Sequence, residues 1–336
     1  MATTHNDEQP ANDVIVTFVD PLTWSREFSY DVEESMLAAS GARLIVPADE
    51  DERDRLLPRA DAVISSGLTA VDSSMIARMQ RCVAIQCYSV GMNAVDIAAA
   101  EEAGMRVANV NASTADVADH TIALLLALER RLVPMFKATE RGEWDLRNLP
   151  VAREIRRLEG QTLGIVGAGK IGRLVARRAR AFGYVTIATD LVEPDPPDPE
   201  LEMVSIEELF SRSDAVAVCA SLSPSSYRMI NGDVLAHAKP GLLFVNAARG
   251  GLVDEEALAV ALDDGRVALA GLDVRDPEPP DPQNDLLGNR DDVVQTPHMA
   301  AMSERTRSDI HHLVAESIIG MLRESARLPM SGSEGL

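Results

Sequence analysis

Lysine is nearly missing from this sequence: it stands only at positions 137, 170 and 239, so almost all of the positive charge is arginine. Basic charge as a whole is also outweighed, the formal net charge being −21 at pH 7 with a pI near 4.7. That balance excludes nucleic acid or an anionic membrane surface as partners held by bulk electrostatics, and a small anionic substrate then needs a local positive site. Two origins account for the bias: a surface that stays hydrated at high salt, or the codon usage of a GC-rich genome. The second explains arginine in place of lysine but not the acid excess, which favours the first. Cysteine is scarce too. Cys82, Cys87 and Cys219 lack metal-ligand spacing and read as reduced thiols in or near the strands of a cytoplasmic protein, with no metal expected. No apolar run reaches bilayer length, 122–128 being too short. The first ten residues have neither the basic start nor the apolar stretch of a signal peptide and read as a solvated tail. Repeats of solenoid period are absent. What remains is an ordinary globular composition, 336 residues with 46% apolar and 25% charged, enough for two domains with their own cores.

The stretch 163–190 organises the rest. An apolar run at 163–166 reads as a buried parallel strand, and after Gly169 a helical period puts Ile171, Leu174, Val175 and Ala179 on one face. A second strand closes at Asp190, 18 residues beyond Gly172. In such a unit Gly167 permits a tight turn, Gly169 admits a pyrophosphate against the backbone, and Gly172 lets the helix pack close to the strand. The helix N-terminus offers N–H groups to the phosphates. Asp190 is placed to accept from an adenosine ribose, and no arginine follows nearby to hold a 2′-phosphate, so the expected cofactor is NAD rather than NADP.

Before this unit the chain alternates strand and helix. Strands are expected at 14–19, 42–47, 62–66 and 82–86, with helices at 33–40, 49–57 and 73–79, forming a first doubly wound unit over 13–112. The small-residue run after Tyr88 follows a strand; its N–H groups could cradle a carboxylate, or it is a plain strand-to-helix turn. A long helix is expected at 116–131, entered through Ser113 and Thr114 as caps, and an irregular arginine-rich segment at 147–157. A proline-bearing surface loop begins at Glu193. Strands then recur at 215–219, 242–246, 268–273 and 293–295, with helices at 206–210, 232–238 and 255–263 and a last helix at 303–323.

Ligands of open parallel sheets collect at the carboxyl ends of strands. Three of these strands end near Arg249, near Asp273 with Glu278 five residues on, and near His298. A guanidinium there can pair with a substrate carboxylate and polarise a carbonyl, an imidazole can exchange the proton that accompanies hydride transfer, and a carboxylate beside it raises its pKa. This set suits reduction of a 2-oxo acid. His120, His237, His311 and His312 lie on helical patterns without such convergence and read as surface or packing residues.

Four motifs carry a family resemblance: Gly-Ala-Gly-Lys-Ile-Gly at 167–172, Asn-Ala-Ala-Arg-Gly-Gly-Leu-Val-Asp at 246–254, Gly-Leu-Asp-Val-Arg-Asp-Pro-Glu-Pro at 271–279 and Thr-Pro-His at 296–298. In order and spacing they resemble the signatures of the D-isomer-specific 2-hydroxyacid dehydrogenases, from about residue 62 to 307, and the runs 156–167 and 178–183 are most similar to the C-terminal-binding-protein-like branch. The resemblance implies that Arg249 holds the substrate carboxylate and keto oxygen, that His298 is the proton donor in reduction, and that Glu278 is its hydrogen-bonded partner. It further implies that Asp273 meets the nicotinamide carboxamide, Lys170 and Ile171 the pyrophosphate, while Ala220, Leu222 and Ala247 line the dinucleotide. The backbone of Ser89, Val90 and Gly91 holds the substrate carboxylate by the same resemblance. A homodimer built on the dinucleotide domain is expected from it as well.

Some positions depart from the family pattern. The corepressor relatives have tryptophan three residues after the catalytic histidine, where Ala301 stands here, and the usual glycine of this segment is Ala300. Phosphoglycerate dehydrogenases carry arginines where this chain has Gly67, Leu68 and Thr69, and often a C-terminal regulatory domain; both features are absent, which argues against a phosphorylated substrate. The expected architecture is α/β: two doubly wound parallel-sheet domains of Rossmann and flavodoxin-like type with the active site in a cleft between them. The substrate-binding domain is discontinuous, 13–112 and 300–330, and the NAD-binding domain is 113–299. An NAD(H)-sensing, dimeric corepressor-like protein with little turnover is the alternative function.

Overall fold

A computed structural model describes residues 13–20, 29–67, 69–88, 90–144, 155–192 and 196–330. Leu68, Ser89, most of the arginine-rich segment (147–154) and the start of the proline-bearing loop at Glu193 lie outside the described residues. The chain folds as two compact units, Met1–Ala112 with Glu304–Leu336, and Ser113–Ser303. Both are α/β with wholly parallel sheets.

The first unit runs β1 (Val14–Phe18), α1 (Asp31–Ser40), β2 (Ala42–Ile45), α2 (Glu50–Leu56), β3 (Ala62–Ser65), α3 (Ser73–Ile76), β4 (Ala84–Cys87), α4 (Ile97–Glu102) and β5 (Arg106–Ala108). Its strand order is β2-β1-β3-β4-β5, the flavodoxin-like order. Asp49, Asp72 and Asp96 cap α2, α3 and α4 by accepting from the N–H three residues on, which satisfies donors the helices leave open. Val16, Phe18, Leu37 and Ile64 fill one face of the sheet together with Val314, Ile318 and Leu322 of the last helix, Glu304–Glu324. Val63, Ile85, Leu57 and Met79 fill the other. Strand β5 was not expected from the sequence, being three residues long and exposed at its first position.

The second unit begins with α5 (Thr114–Glu129) and α6 (Leu132–Glu140) and continues through β6 (Thr162–Val166), α7 (Lys170–Ala181), β7 (Val185–Thr189), β8 (Glu202–Met203), α8 (Ile206–Arg212) and β9 (Ala215–Val218). It ends with α9 (Gly232–Leu235), β10 (Leu242–Asn246), α10 (Glu255–Asp263), β11 (Val267–Leu272) and β12 (Val293–Gln295), and the last helix is α11. The order β12-β11-β10-β9-β6-β7-β8 reverses direction between β6 and β9, which is the switch point where such sheets bind ligands. Two glycines fix the join of β6 to α7. Gly167 has φ +101°, and a Cβ there would lie 2.5 Å from the Ala220 nitrogen; at Gly172 it would lie 2.0 Å from the Gly167 carbonyl oxygen. Side chains at either place would pry the helix from the sheet. Leu125, Leu128, Leu163 and Ile165 are fully buried in the same layer, each stabilising the fold by roughly 1.5–3 kcal/mol.

The helix α6 was not expected, because Arg131 in the left-handed region (φ 51°) breaks the run between α5 and α6 and the sequence period does not show that break. Ser113 also departs from expectation. Its φ and ψ of −97° and 8° are not the extended values of a capping residue, and its side chain makes no cap bond to α5. No helix among the described residues is long and apolar enough to cross a membrane.

Candidate active site

The glycine turn places the dinucleotide residues at the head of α7. A Cβ built on Gly169 meets nothing within 4 Å, so the surface over the helix N-terminus is open, and the first N–H groups of Lys170 and Ile171 have no acceptor in the preceding turn of helix. Asp190 follows β7 beside it, exposed; one oxygen accepts from the Ala168 N–H at 2.7 Å and the other from the Val192 N–H at 3.3 Å. The acid therefore braces the turn while keeping its edge toward solvent, where a ribose diol can reach it. Ala220 follows β9 at the switch point, Ala247 follows β10 and is buried, and Leu222 packs near Gly251. These residues fit a dinucleotide: an open small-residue cradle, a helix dipole for the phosphates and a carboxylate for the ribose.

The candidate catalytic residues lie on the rim formed by β10, β11 and β12. Asn246, the last residue of β10, accepts from the Ala248 N–H through its amide oxygen at 3.0 Å and donates through its amide nitrogen to the Arg249 carbonyl at 3.0 Å. That staple presents Arg249, whose guanidinium donates to the Ala248 carbonyl at 2.7 Å. Burial lowers the Arg249 pKa from its ordinary value, against the pull of the Glu278 carboxylate; an arginine stays charged even so. Asp273 follows β11 and is buried. Its oxygens accept from the Thr296 hydroxyl (2.5 Å) and the N–H groups of Met299 and Ala300 (2.8 Å each). The carboxylate thus holds the turn on both sides of His298.

His298 itself has φ 54°, a left-handed conformation that costs a histidine energy unless its surroundings impose it. Its N–H donates to the Asp273 carbonyl at 2.8 Å, and its Nδ1 lies 2.7 Å from Glu278 Oε2. The other Glu278 oxygen accepts from the Arg275 N–H at 2.9 Å. Burial alone pushes the Glu278 carboxyl up, but the bonds from His298 and Arg275 and the charges of His298 and Arg249 more than offset it, leaving its pKa below the ordinary value. Arg249, Glu278 and His298 are therefore brought together as one electrostatic group.

Of the loop expected to bind the substrate carboxylate, Ser89 lies outside the described residues, and the Val90 carbonyl accepts from the Asn109 side chain at 2.5 Å, followed by Gly91. Two residues not expected from the sequence join the site. Asn246 gave only the signal of an amide at a strand end. His120, set aside as a packing residue, instead has Nε2 3.0 Å from the Thr296 hydroxyl and 3.4 Å from Asp273. The helical period located its face of α5 but not the β11 rim that α5 covers. The three cysteines carry no chemistry here: burial pushes their thiols up, Cys82 and Cys219 to about 12 and Cys87 to about 11, so none is a thiolate at neutral pH.

Residues 122–300 match the family described as D-isomer specific 2-hydroxyacid dehydrogenase, NAD binding domain. The chain belongs to this family. Hydroxypyruvate reductase of Thermotoga maritima is 33% identical over 293 residues, covering 86% of this chain and 94% of the relative. D-3-phosphoglycerate dehydrogenase of Mycobacterium bovis is 38% identical over 293 residues, 84% of this chain but 54% of the relative, so this chain spans about half its length. Among solved structures, a glyoxylate reductase from Paecilomyes thermophila superposes with a TM-score of 0.82 at 27% identity, over 96% of this chain and 99% of that one. Membership makes this chain an NAD-dependent oxidoreductase, and the corepressor-like alternative is not favoured, since these relatives are named for reductase and dehydrogenase activities.

Proposed function

We propose that this family member interconverts a small, unphosphorylated 2-oxo acid and its D-2-hydroxy acid. The observation that carries the reading is the 2.7 Å contact of His298 Nδ1 with Glu278, with the Arg249 charge acting on the same carboxylate. Bound NAD(H) supplies or receives the hydride. Gly167, Gly169, Lys170, Ile171 and Gly172 hold its pyrophosphate, Asp190 its ribose, Asp273 its carboxamide, and Ala220, Leu222 and Ala247 line it.

Glu278 accepts from Nδ1–H and so leaves Nε2 to gain and lose the exchangeable proton: the ring donates as the imidazolium and is left as the neutral Nδ1–H tautomer. In reduction that proton goes from Nε2 to the keto oxygen as it gains charge; in oxidation it returns. Arg249 pairs with the substrate carboxylate and the keto oxygen, and its partial burial strengthens that attraction. By the family resemblance, the backbone of Ser89, Val90 and Gly91 would also bind the substrate carboxylate. The lack of arginine at Gly67, Leu68 and Thr69 favours substrates without a phosphate. Three cysteines, none of them in a disulfide, suit a reducing cytoplasm, and the dinucleotide unit is the proposed site of homodimerisation.

The test is a panel of glyoxylate, hydroxypyruvate, pyruvate, branched 2-oxo acids and 3-phosphohydroxypyruvate, each followed by NADH absorbance. Turnover of at least one unphosphorylated acid, with chiral analysis returning the D product, supports the reading. Tight NADH binding with no turnover of any of them sinks it, and preference for the phosphorylated acid sinks the substrate class.

A further inference from the structure

Arg275 is a nearly buried arginine two residues beyond Asp273, its side chain 7% exposed. The guanidinium is gripped from three directions. Nε donates to Glu255 Oε1 at 3.0 Å, Nη2 to Glu255 Oε2 at 2.8 Å and to Asp285 Oδ1 at 2.6 Å, and Nη1 to Gln295 Oε1 at 2.7 Å. Its partners are themselves tied down. Glu255 also accepts from the Asp276 N–H, Asp285 from the Leu287 N–H, and the Gln295 amide donates to the Leu287 carbonyl. These groups come from the start of α10, the loop before β12 and the end of β12, so one planar fork links three segments, which a lysine could not do.

The other end of the same residue touches the catalytic group. The Arg275 N–H donates to Glu278 Oε1 while Oε2 faces His298, and a Cβ on Gly250 would lie 2.0 Å from the Arg275 carbonyl. The turn carrying Arg249 and the loop carrying Glu278 therefore meet backbone to backbone at Arg275. We infer that Arg275 is a positioning residue: its clamped guanidinium locks the 275–278 loop so that Glu278 meets the His298 imidazole in line and at fixed distance from Arg249. A role in stability alone is a poor explanation, because a buried cation with two carboxylates is often no more stable than apolar side chains in its place.

The effect on turnover rests on the proposed function, whereas the effect on the imidazole does not, so two arms separate them. In the first, the His298 ring signals are followed by NMR at neutral pH, assigned by their loss in His298→Gln. Glu278→Gln should displace them, since the group beside Nδ1 is then a neutral amide. The triple variant Arg275→Met, Glu255→Gln, Asp285→Asn removes the guanidinium without stranding a carboxylate, and should displace them in the same direction by at least half as much, with NADH binding unchanged. In the second arm, kcat for the best 2-oxo acid should fall about 10- to 100-fold in that variant, with KM for NADH kept. A folded triple variant with wild-type ring signals overturns the inference. If it does not fold, Gln295→Leu, which takes one acceptor from Nη1, must displace the signals in the same direction, and unmoved signals overturn the inference as well. Absence of turnover in the wild-type enzyme would count against the proposed function while the ring signals still decide the clamp.

Discussion

Among the described residues, two histidine–glutamate pairs have the same length and opposite circumstance. His298 and Glu278 meet at 2.7 Å with side chains 44% and 36% exposed, whereas His311 and Glu33 meet at 2.7 Å with side chains 11% and 0% exposed. Around the second pair, in the first unit, the Tyr88 hydroxyl donates to Glu33 at 2.5 Å and lies 2.6 Å from His311 Nδ1. Tyr30 and Phe18 pack beside it. Burial, then the Glu33 bond and charge, raises the Tyr88 pKa above its ordinary value, so the hydroxyl keeps its proton. One pair is open to a reactant and adjoins an arginine; the other is closed by aromatic rings. The same two functional groups are thus proposed to serve proton exchange in one place and cohesion in the other, and what separates them is access and the third neighbour.

Breaking each pair should separate the roles. The largest effect is expected from His298→Asn, which tolerates the left-handed backbone: kcat for 2-oxo acid reduction should drop about 10²- to 10⁴-fold, with the unfolding midpoint hardly changed. Wild-type turnover would remove His298 from the chemistry. For His311→Ala the pattern should invert, since Glu33 is left buried without its imidazole partner: denaturant titration should show a loss of about 1–3 kcal/mol, and the folded fraction should still reduce substrate. A variant as stable as wild type would make the buried pair incidental.

Glu278→Gln sharpens the comparison through pH. Because its pKa is lowered in the fold, Glu278 is ionised throughout the neutral range and is protonated only on the acid side of the ordinary value, about 4.3. The acid limb of the rate profile then reports protonation of Glu278, and Glu278→Gln, which has no carboxylate to protonate, should remove that limb. A limb that persists would assign it to another group.

The glycine turn and the rim were legible in the sequence to different degrees for a physical reason. Gly167 and Gly172 are fixed by backbone sterics and Asp190 by its bond from the Ala168 N–H, all over a short span, and such local constraints leave a spacing. Arg249, Glu278 and His298 stand at strand ends, which an apolar run marks. His120 depends on which rim α5 covers, and the Arg275 clamp joins residues 20, 20 and 10 positions away. His311 and Glu33 are 278 positions apart, and no local pattern encodes such a meeting. Short β8, at two residues, has too little pattern to read.

A third carboxylate tests whether burial without a strong partner is a cost. Glu129, at the end of α5, is buried and accepts from the Tyr184 hydroxyl at 2.8 Å, while its other oxygen has no partner. Burial, only partly offset by Tyr184 and Arg156, raises its pKa. Between the unfolded and folded values the native state therefore binds more protons, so stability falls as pH rises through that window, the reverse of the Glu278 case. Glu129→Gln removes the penalty, and the new amide offers a donor to Gln161, whose side-chain oxygen is also buried without a partner. Its thermal midpoint at neutral pH should rise by about 2–4 °C, and the gain should shrink on acidification. A lower midpoint at neutral pH would show that the Glu129 carboxylate is stabilised by its surroundings rather than penalised by burial.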